Sequence, residues 1–475
     1  MEDEVTMSDQ VAVYKRVVQG NDALKCMGRP MWTNLPNEQD LVRNRSKLLT
    51  FAANKLMLGV SPWLERNYTA DTMFGVASML CRLGIRPYLK SALASRVVAD
   101  FMATLAYMNY ERDGYLSSYA SDPVLTFGAI KVWYALGNGL FKFILPQLKK
   151  LILDETLDTG GVGEMVARIL LLLAMDKCAM ISPGNLDDKL IGQLVPVNKF
   201  LEELGVGKMT IYYKGGIKAP DGEKDAFKKW QKKWDGWHMG FTHFVQLVRE
   251  PDEDTLWYLL GRRAAGVFPR GQHGADLLIP MVKRKSDSES DSREESDEVS
   301  LMLIQVKNRY PRDTEFVKAA SKKLTSWFVI TAEGNPLSIV CVDGVIRIYL
   351  SLRENSDRDG FIFATNMDDN LPTTKADKKR MKVMGLESKE ELKGSSEMAY
   401  TLCFRSINTR TFPFLSEDVA AILASIVEPT WPATGLVKGD LDRRDDTGCI
   451  LSDVMPSDEL HEIALTGLSE APGFG

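Results

Sequence analysis

The sequence predicts a mixed α/β fold in which an α-helical region precedes a sheet-containing region. From Leu41 to Asp154, apolar residues recur at spacings of three and four between Pro, Gly and Asn residues, which is typical of amphipathic helices. Farther along, Ala275–Val282 and Leu301–Val306 are short, rich in branched residues and bounded by turn or charged residues, which is typical of buried strands. We therefore predict an α-helical domain at 1–160, an α/β domain at 161–427 and a mostly unstructured tail at 428–475.

The composition is that of an ordinary globular protein, with 475 residues, 45% hydrophobic and 26% charged. A net charge of −5 argues against a protein that coats nucleic acid by bulk electrostatics, although a local basic groove is compatible with it. No apolar run approaches the roughly 18 residues of a membrane span. The six cysteines form no C-x-x-C pair, which indicates neither a zinc site nor a disulfide framework and favours a reducing, intracellular compartment.

The α/β domain is predicted to open with a helix at Gly161–Lys177. An aromatic stripe follows, in which Phe and Trp side chains recur at spacings of three and four with lysines between them. Its members are Phe227, Trp230, Trp234, Trp237, Phe241 and Phe244. This spacing predicts one buried helix face with solvated lysines. A stacking platform for single-stranded nucleic acid is the alternative interpretation.

The next elements of this domain, up to VIRIYLSL, are predicted to run β-β-β-α-β-β, and a further strand and helix close it. Ala265–Arg270 should pair antiparallel with Ala275–Val282 around a turn at Gly271–Gly274. The charged, serine-rich segment 284–299 is predicted to be a disordered loop. Beyond it, TEFVKAASKKLTSWF predicts a helix, and PLSIVCVDG, VIRIYLSL and AYTLCFRSI predict strands. The helix SEDVAAILASIV, capped by Ser416, closes the domain.

Three polar residues are predicted to meet at one edge of this sheet. Asp276 starts one strand, while Gln305 and Lys307 lie two apart on the next and so face the same side. Buried charge is costly unless it is paired or binds a metal. Carboxylate and amide oxygens are hard ligands suited to Mg²⁺, and a neighbouring lysine can orient a water or hold a phosphate. Together they suit metal-assisted phosphodiester hydrolysis.

The order Asp, spacer, Gln-x-Lys resembles the PD-(D/E)XK, or restriction-endonuclease-like, nuclease superfamily. The segments GQHGADLLIP and LMLIQVKN look most like the nuclease-type domain of Crinkler-like proteins of fungi and oomycetes. The resemblance implies that Asp276 is the metal-binding acid, Gln305 the second ligand and Lys307 the motif lysine, with Mg²⁺ or Mn²⁺ as cofactor. It also implies a glutamate from a preceding helix, for which Glu164 is the candidate. Gln305 departs from the Asp or Glu that is commoner at that position.

Each candidate also has a purely structural interpretation. Gln305 and Lys307 can be ordinary polar residues at a strand end. Asp276 can be a turn-forming acid after Gly274. Glu164 lies four residues before Arg168, a spacing that often makes a solvated ion pair.

Further candidates for nucleic-acid binding lie outside the motif. His273, in the turn before Asp276, can contact a phosphate or be an exposed turn residue. The same alternative applies to a basic insertion that contains Lys378, Lys379 and Arg380, which can grip a phosphate backbone or form a solvated helix face.

The function predicted from the sequence is a metal-dependent nuclease, with DNA favoured over RNA as its substrate. Two alternatives stay open: a catalytically degenerate nucleic-acid-binding module, and an effector or interaction scaffold without catalysis. In Crinkler-like proteins a similar helical region tends to follow an ATPase domain, but this chain has neither G-x-x-x-x-G-K-[ST] nor G-x-G-x-x-G. An ATPase is therefore either absent or a separate partner protein. The expected location is intracellular, with the nucleus as one option, and the sequence predicts no oligomeric state.

Overall fold

The structure is a computed structural model. It describes Tyr14, Arg29, Trp32 and residues 45–58, 73–88, 91–110, 114–119, 121–134, 140–154, 157–158, 161–181, 187–213, 217–218, 221–248, 251–269, 274–284, 298–308, 345–353, 360–366 and 398–428. Several sequence predictions lie outside these residues. They are His273, Lys378, Lys379, Arg380, most of the acidic segment, the helix TEFVKAASKKLTSWF, the strand PLSIVCVDG and almost all of the tail.

The N-terminal region consists mainly of helices around one fully buried helix. The helices are α1 (Arg45–Leu56), α2 (Met73–Leu83), α3 (Ala92–Asp100), α4 (Pro123–Tyr134) and α5 (Leu145–Leu153), with a π-helical turn at Leu140–Ile144 before α5. Every residue of α4 is buried. At Gly128 a Cβ would lie 2.6 Å from the Ala53 nitrogen, so the absence of a side chain lets α4 lie directly on α1.

The helical pattern predicted from Leu41 to Asp154 includes the segment LKSALASRVVADFMATLAYM, and in the second half of that segment the prediction is wrong. Helix α3 ends at Asp100, Met102 adopts a positive φ of 64°, and strand β2 (Thr104–Met108) pairs with β3 (Tyr115–Ser118). All five residues of β2 are exposed, so the apolar stripe that suggested a helix has no core to face there. A second short pair joins β1 (Arg86–Pro87) to β4 (Leu157–Asp158).

The rest of the described chain builds a sheet and the helices on its two faces. The helices are α6 (Val162–Cys178), α7 (Val197–Leu204), α8 (Asp221–Lys232), α9 (Glu253–Arg262) and α10 (Glu417–Val427). The first strands are β5 (Val195–Pro196), β6 (Thr210–Tyr213), β7 (Ile217–Lys218), β8 (Trp237–Met239), β9 (His243–Gln246) and β10 (Ala264–Val267). The later ones are β11 (Leu277–Lys283), β12 (Val299–Lys307), β13 (Ile346–Ser351), β14 (Phe361–Asn366) and β15 (Met398–Arg405).

These strands form an 11-stranded mixed sheet, which confirms the predicted α/β class. Its main path runs β5-β8-β11-β12-β13-β15-β14-β6-β7, and β10 joins β11 to β9. Strand β10 is antiparallel to β11, with Gly266 opposite Leu278, as the sequence predicted, and β11 is antiparallel to β12. By contrast β12, β13 and β15 run parallel to one another, so their carboxyl ends meet at one edge. The predicted cap of α10 is also confirmed, because the Ser416 hydroxyl accepts the Val419 N–H at 3.4 Å.

The two faces of the central strands pack into different apolar clusters. Met302, Ile304 and Val306 of β12 belong to a large cluster that includes α6 and continues through α4 and α1. Leu301 and Leu303 face the other way, into a smaller cluster with α9. The large cluster extends from residue 32 to residue 427, so the helical region and the sheet share one core. The domain boundary at residue 160 stays a prediction.

The aromatic stripe is buried as predicted, but it is not one helix. All six side chains are buried. Helix α8 ends at Lys232, and the chain turns at Gly236, whose φ is 80°. The later aromatics then lie on or near β8 and β9, with Trp237 opening β8. The three-four spacing therefore continues by coincidence across a helix, a turn and two strands.

A buried ion pair joins the helical region to the sheet. The Arg82 guanidinium donates to both carboxylate oxygens of Asp176 at 2.8 Å, and its Nε donates to the Thr242 carbonyl at 3.0 Å. The guanidinium also lies 4.1 Å from the centre of the Trp133 ring, and the Tyr134 hydroxyl donates to Asp176 at 2.8 Å. One network thus connects α2, α4, α6 and the segment before β9.

No helix within these described ranges is long and apolar enough to cross a membrane. The three described cysteines, Cys81, Cys178 and Cys403, are buried free thiols. Burial raises the pKa of Cys81 above that of an ordinary thiol, which makes it a poor nucleophile at neutral pH.

Replacing Arg82 by methionine should destabilise the protein strongly. The change leaves the Asp176 carboxylate buried without its ion-pair partner, which typically costs about 3–5 kcal/mol. Urea unfolding of Arg82→Met against wild type measures the loss. The matched control is Arg96→Met, because Arg96 and Asp100 form an exposed pair worth at most about 1 kcal/mol. Equal losses in the two variants would contradict the role assigned to Arg82.

Candidate functional site

Asp276 and Gln305 lie side by side at the start of β11 and near the end of β12. The Asp276 N–H donates to the Ile304 carbonyl at 2.9 Å, and its carboxylate Oδ2 accepts the Val306 N–H at 2.6 Å. Both bonds go to the residues that flank Gln305, so Asp276 is directly opposite Gln305. The adjacency predicted from the sequence is therefore present in the structure.

Lys307 completes this group electrostatically. It lies two residues beyond Gln305 on the same side of β12, and it is half-buried. Burial raises the pKa of the Asp276 carboxyl above its ordinary value, while the Val306 N–H and the positive charge of Lys307 act in the opposite direction. Asp276 therefore lies in a partly desolvated position with a cation nearby, which is not the setting of a solvated turn acid.

Gln305 carries a buried oxygen without a partner. The side chain is 5% exposed, and within the described part of the chain its Oε1 accepts no hydrogen bond. Buried polar atoms are nearly always satisfied, so such an atom needs an explanation. A ligand that binds there, such as a cation or a donor group, would satisfy it.

Glu164 lies in the first turn of α6, and that end of the helix touches the end of β12. A Cβ on Gly163 would come within 2.6 Å of the Asn308 Cβ, so only glycine permits this approach. The Glu164 side chain turns back toward the helix start, with its Oε1 3.3 Å from a Cβ built on Gly161. The structure thus brings Glu164 to the same end of β12 as Lys307.

The Glu164–Arg168 interaction considered from the sequence is present, but it is not solvated: the Arg168 Nε donates to the Glu164 backbone carbonyl at 3.4 Å, and the two charges interact. Arg168 is buried, and its guanidinium donates to the Leu83 carbonyl at 2.6 Å. Burial lowers the pKa of Arg168 to about 10, and the Glu164 charge opposes that shift. Arg168 therefore serves to hold α6 against the end of α2, while Glu164 stays half-buried at the helix start.

Sequence reasoning missed several polar residues near this site. Asn308, which follows Lys307, has a buried Oδ1 without a partner among the described residues. Arg347 and Ser351 of β13 also carry buried polar atoms without a described partner. The signal was available in VIRIYLSL, because strand alternation places Arg347, Tyr349 and Ser351 on one face. Burial of that face was not apparent from the strand itself.

The residues present are compatible with a Mg²⁺ or Mn²⁺ site. In the ranges that the structure describes, no three His, Cys, Asp or Glu side chains lie together as a metal site. The predicted set differs in kind, because it combines the Asp276 carboxylate with the amide oxygen of Gln305. Glu164 lies at the same end of β12, on α6, which packs on the face of the sheet opposite to Gln305. Mg²⁺ commonly binds one or two carboxylates and keeps several waters. The unsatisfied Gln305 oxygen beside Asp276 is the observation that fits this chemistry best.

Replacing Asp276 by asparagine should stabilise the protein at neutral pH in the presence of a chelator. Burial raises the pKa of Asp276 in the folded protein. At neutral pH the buried carboxylate therefore lowers the free energy of unfolding. At a pH low enough to protonate Asp276 in both the folded and the unfolded protein, this cost disappears. An amide oxygen can still accept the Val306 N–H. The difference in Tm between Asp276→Asn and wild type should therefore shrink as the pH falls toward the ordinary carboxyl range, about 4.

Thermal unfolding from about pH 4 to 8 measures this difference. Asp100→Asn, at an exposed carboxylate, is the control and should show no such trend. A lower Tm for Asp276→Asn at neutral pH would show that the carboxylate contributes a structural bond that the amide cannot replace.

Comparison with known proteins gives a match to a family model. Residues 69–334 match a family described as a domain of unknown function, DUF8736. No curated protein and no solved structure matches the chain. The matched stretch covers more than half of the 475 residues and contains Glu164, Asp276, Gln305 and Lys307. The chain therefore belongs to the DUF8736 family of domains of unknown function.

Proposed function

We propose that this protein is a metal-dependent nuclease that hydrolyses nucleic-acid phosphodiester bonds with Mg²⁺ or Mn²⁺. The observation that carries the proposal is the buried, unsatisfied Gln305 Oε1 next to Asp276 and Lys307. A purely structural strand end would leave these groups solvated or paired. A carboxylate, an amide oxygen and a lysine on two adjacent strands suit a bound cation and a phosphate.

The strand order supports the same proposal. Three strands that follow one another in the chain, β10, β11 and β12, pair antiparallel, and β13 is parallel to β12. This arrangement lets an acid at the start of β11 meet a Gln-x-Lys at the end of β12. Helix α6 precedes these strands in the chain and reaches the same end of β12, as the resemblance to the PD-(D/E)XK superfamily implies.

In the proposed mechanism each residue has a distinct role. Asp276 and Gln305, with Glu164, would hold the metal ion. When bound, that ion would act as a Lewis acid and would lower the pKa of a bound water. Lys307 orients the attacking water and stabilises negative charge on the phosphate. Asp276 is half-buried and Gln305 is buried, which limits competing solvent and strengthens these electrostatic interactions.

The substrate and setting follow from the same proposal. The substrate is nucleic acid, with DNA favoured over RNA, and the net charge of −5 means that local cations rather than bulk charge must hold it. Any ATPase activity linked to this protein would come from a separate partner. The proposed location is intracellular, where a nuclease of this kind meets its substrate, with the nucleus as one option.

One observation favours a second function, that of a nucleic-acid-binding module without catalysis. Gln305 is neutral where related motifs commonly carry an acid, so the site holds less negative charge for a cation. The neutral amide would still leave Lys307 able to contact a phosphate.

A cleavage assay on circular DNA, linear DNA and RNA, with Mg²⁺, Mn²⁺ or chelator, separates these functions. Wild type should cleave only with metal. Asp276→Asn and Lys307→Ala should each lose about 100-fold or more of the activity, the usual cost of removing one group that stabilises the transition state. Gln305→Glu should bind the metal more tightly because it adds a negative charge to the site. Lys283→Ala is the matched lysine control. Because Lys283 pairs with Glu298 at the far end of β11, this variant should cleave like wild type.

The other outcomes assign the other functions. An inert wild type that binds nucleic acid, together with an active Gln305→Glu variant, would establish the degenerate binding module. If the wild type neither cuts nor binds nucleic acid, the nuclease proposal is wrong and a scaffold role becomes the better explanation.

A further inference from the structure

A strip of polar side chains crosses one face of the three parallel strands. Cα register places Gln305 beside Tyr349, and Tyr349 beside Cys403. The row nearer the carboxyl ends contains Lys307, Ser351 and Arg405, and the row farther from them contains Leu303, Arg347 and Thr401. We call Gln305, Lys307, Arg347, Ser351, Thr401 and Arg405 the polar strip. It shares the face of the sheet that carries Leu301 and Leu303, opposite to the face that packs on α6.

Arg347 is the unusual member of this strip. It is 3% exposed, and neither terminal guanidinium nitrogen has a hydrogen-bond partner within the part of the chain that the structure describes. Burial lowers its pKa to about 10, and Cys403 opposes the shift, so Arg347 stays positively charged at neutral pH. A buried cation without a counter-charge or acceptor is costly.

Other buried arginines of the described structure do not share this property. Arg82 pairs with Asp176, Arg168 donates to the Leu83 carbonyl, and Arg263 donates to the Gly192 and Leu260 carbonyls at 2.7 Å. The fold therefore provides acceptors where an arginine serves only packing. The lack of an acceptor at Arg347 points to a ligand.

Neighbouring atoms fit an anionic ligand. The buried Ser351 Oγ and Thr401 Oγ1 also lack described partners, and hydroxyl groups can donate to an anion. Arg405 adds a second guanidinium, 7% exposed and 4.6 Å from the centre of the Phe361 ring. Arginine binds phosphate through two parallel N–H donors, which suits this kind of site.

The position of Arg347 relates this site to the proposed catalytic residues. Rows on a strand that are two residues apart are separated by about 7 Å, which an arginine side chain spans. Cys403, on the neighbouring β15, lies one row nearer the strand ends than Arg347, in the row of Gln305 and Tyr349. The strip continues to half-buried Lys307 at the strand ends.

We propose that Arg347, with Ser351 and Arg405, binds a phosphate group of the nucleic-acid substrate next to the phosphate that is cleaved at Asp276 and Gln305. This assignment rests on the proposed nuclease function for the identity of the ligand. The phosphate replaces the missing acceptor of Arg347, so substrate binding relieves a cost that the free protein carries. The subsite holds the substrate in register and takes no part in proton transfer.

Thermal unfolding of Arg347→Met and Arg347→Lys in chelator tests the subsite without any need for cleavage. Methionine removes the buried charge at similar length, so Arg347→Met should have a higher Tm than wild type without ligand. Inorganic phosphate, and separately a short oligonucleotide, should raise the Tm of wild type relative to chloride at equal ionic strength. That response should be lost in Arg347→Met, with affinity at least tenfold weaker, and partly kept in Arg347→Lys. Arg410→Met, at an exposed arginine outside the strip, is the control and should respond like wild type.

Each other outcome has a definite meaning. A lower Tm for Arg347→Met without ligand, or a phosphate response that it retains, would overturn the subsite. A response to inorganic phosphate but not to the oligonucleotide would overturn nucleic acid as the source of the phosphate. If the wild type cleaves with metal and Arg347→Met binds phosphate as well as wild type does, the nuclease proposal stands and the subsite proposal is wrong. If the wild type is inert but its phosphate response depends on Arg347, the subsite stands and the nuclease proposal is wrong.

Discussion

The buried pair of Arg82 and Asp176 is the interaction on which the placement of the candidate site depends. Asp176 lies near the end of α6, and Glu164 lies at the start of the same helix. Arg82 holds that carboxylate with two hydrogen bonds and reaches the Thr242 carbonyl just before β9. The pair therefore fixes how far α6 extends along the sheet. A shift of α6 would move Glu164 away from the end of β12, where Gly163 touches Asn308.

The buried polar groups described in this protein differ in whether their hydrogen-bond partners are supplied by the protein. Around Arg82, each polar group of the network has an acceptor or donor, and the result is a rigid joint between helices and sheet. Along the polar strip and at Asn308, several buried oxygen and nitrogen atoms have no described partner. Because unsatisfied groups cost stability, the presence of several of them on one face of the parallel strands suggests a site that a ligand completes.

The family match and the polar strip cover different parts of the chain. The matched residues end at 334, after the strands that carry Asp276, Gln305 and Lys307 and before β13 and β15. The proposed catalytic residues thus lie within the family region, whereas Arg347, Ser351 and Arg405 lie beyond it. Bond cleavage and substrate positioning would then be carried by two adjacent groups of strands in one sheet.

By itself the sequence determined several local elements and the antiparallel pairing of β10 with β11. Short branched runs marked β11 and β12, the turn-forming residues Gly271–Gly274 in the sequence indicated the antiparallel pairing of β10 with β11, and Ser416 marked the start of α10. Each of these signals depends on residues close in the chain. Strand alternation likewise placed Gln305 and Lys307 on one side. Only the tertiary structure decided that the aromatic stripe breaks after α8, that Glu164 reaches the end of β12 and that Arg347 is buried without an acceptor. These features depend on contacts between residues far apart in the chain. The spacing of apolar residues along a helix or a strand carries no information about which distant element covers a side chain or supplies its hydrogen-bond partner.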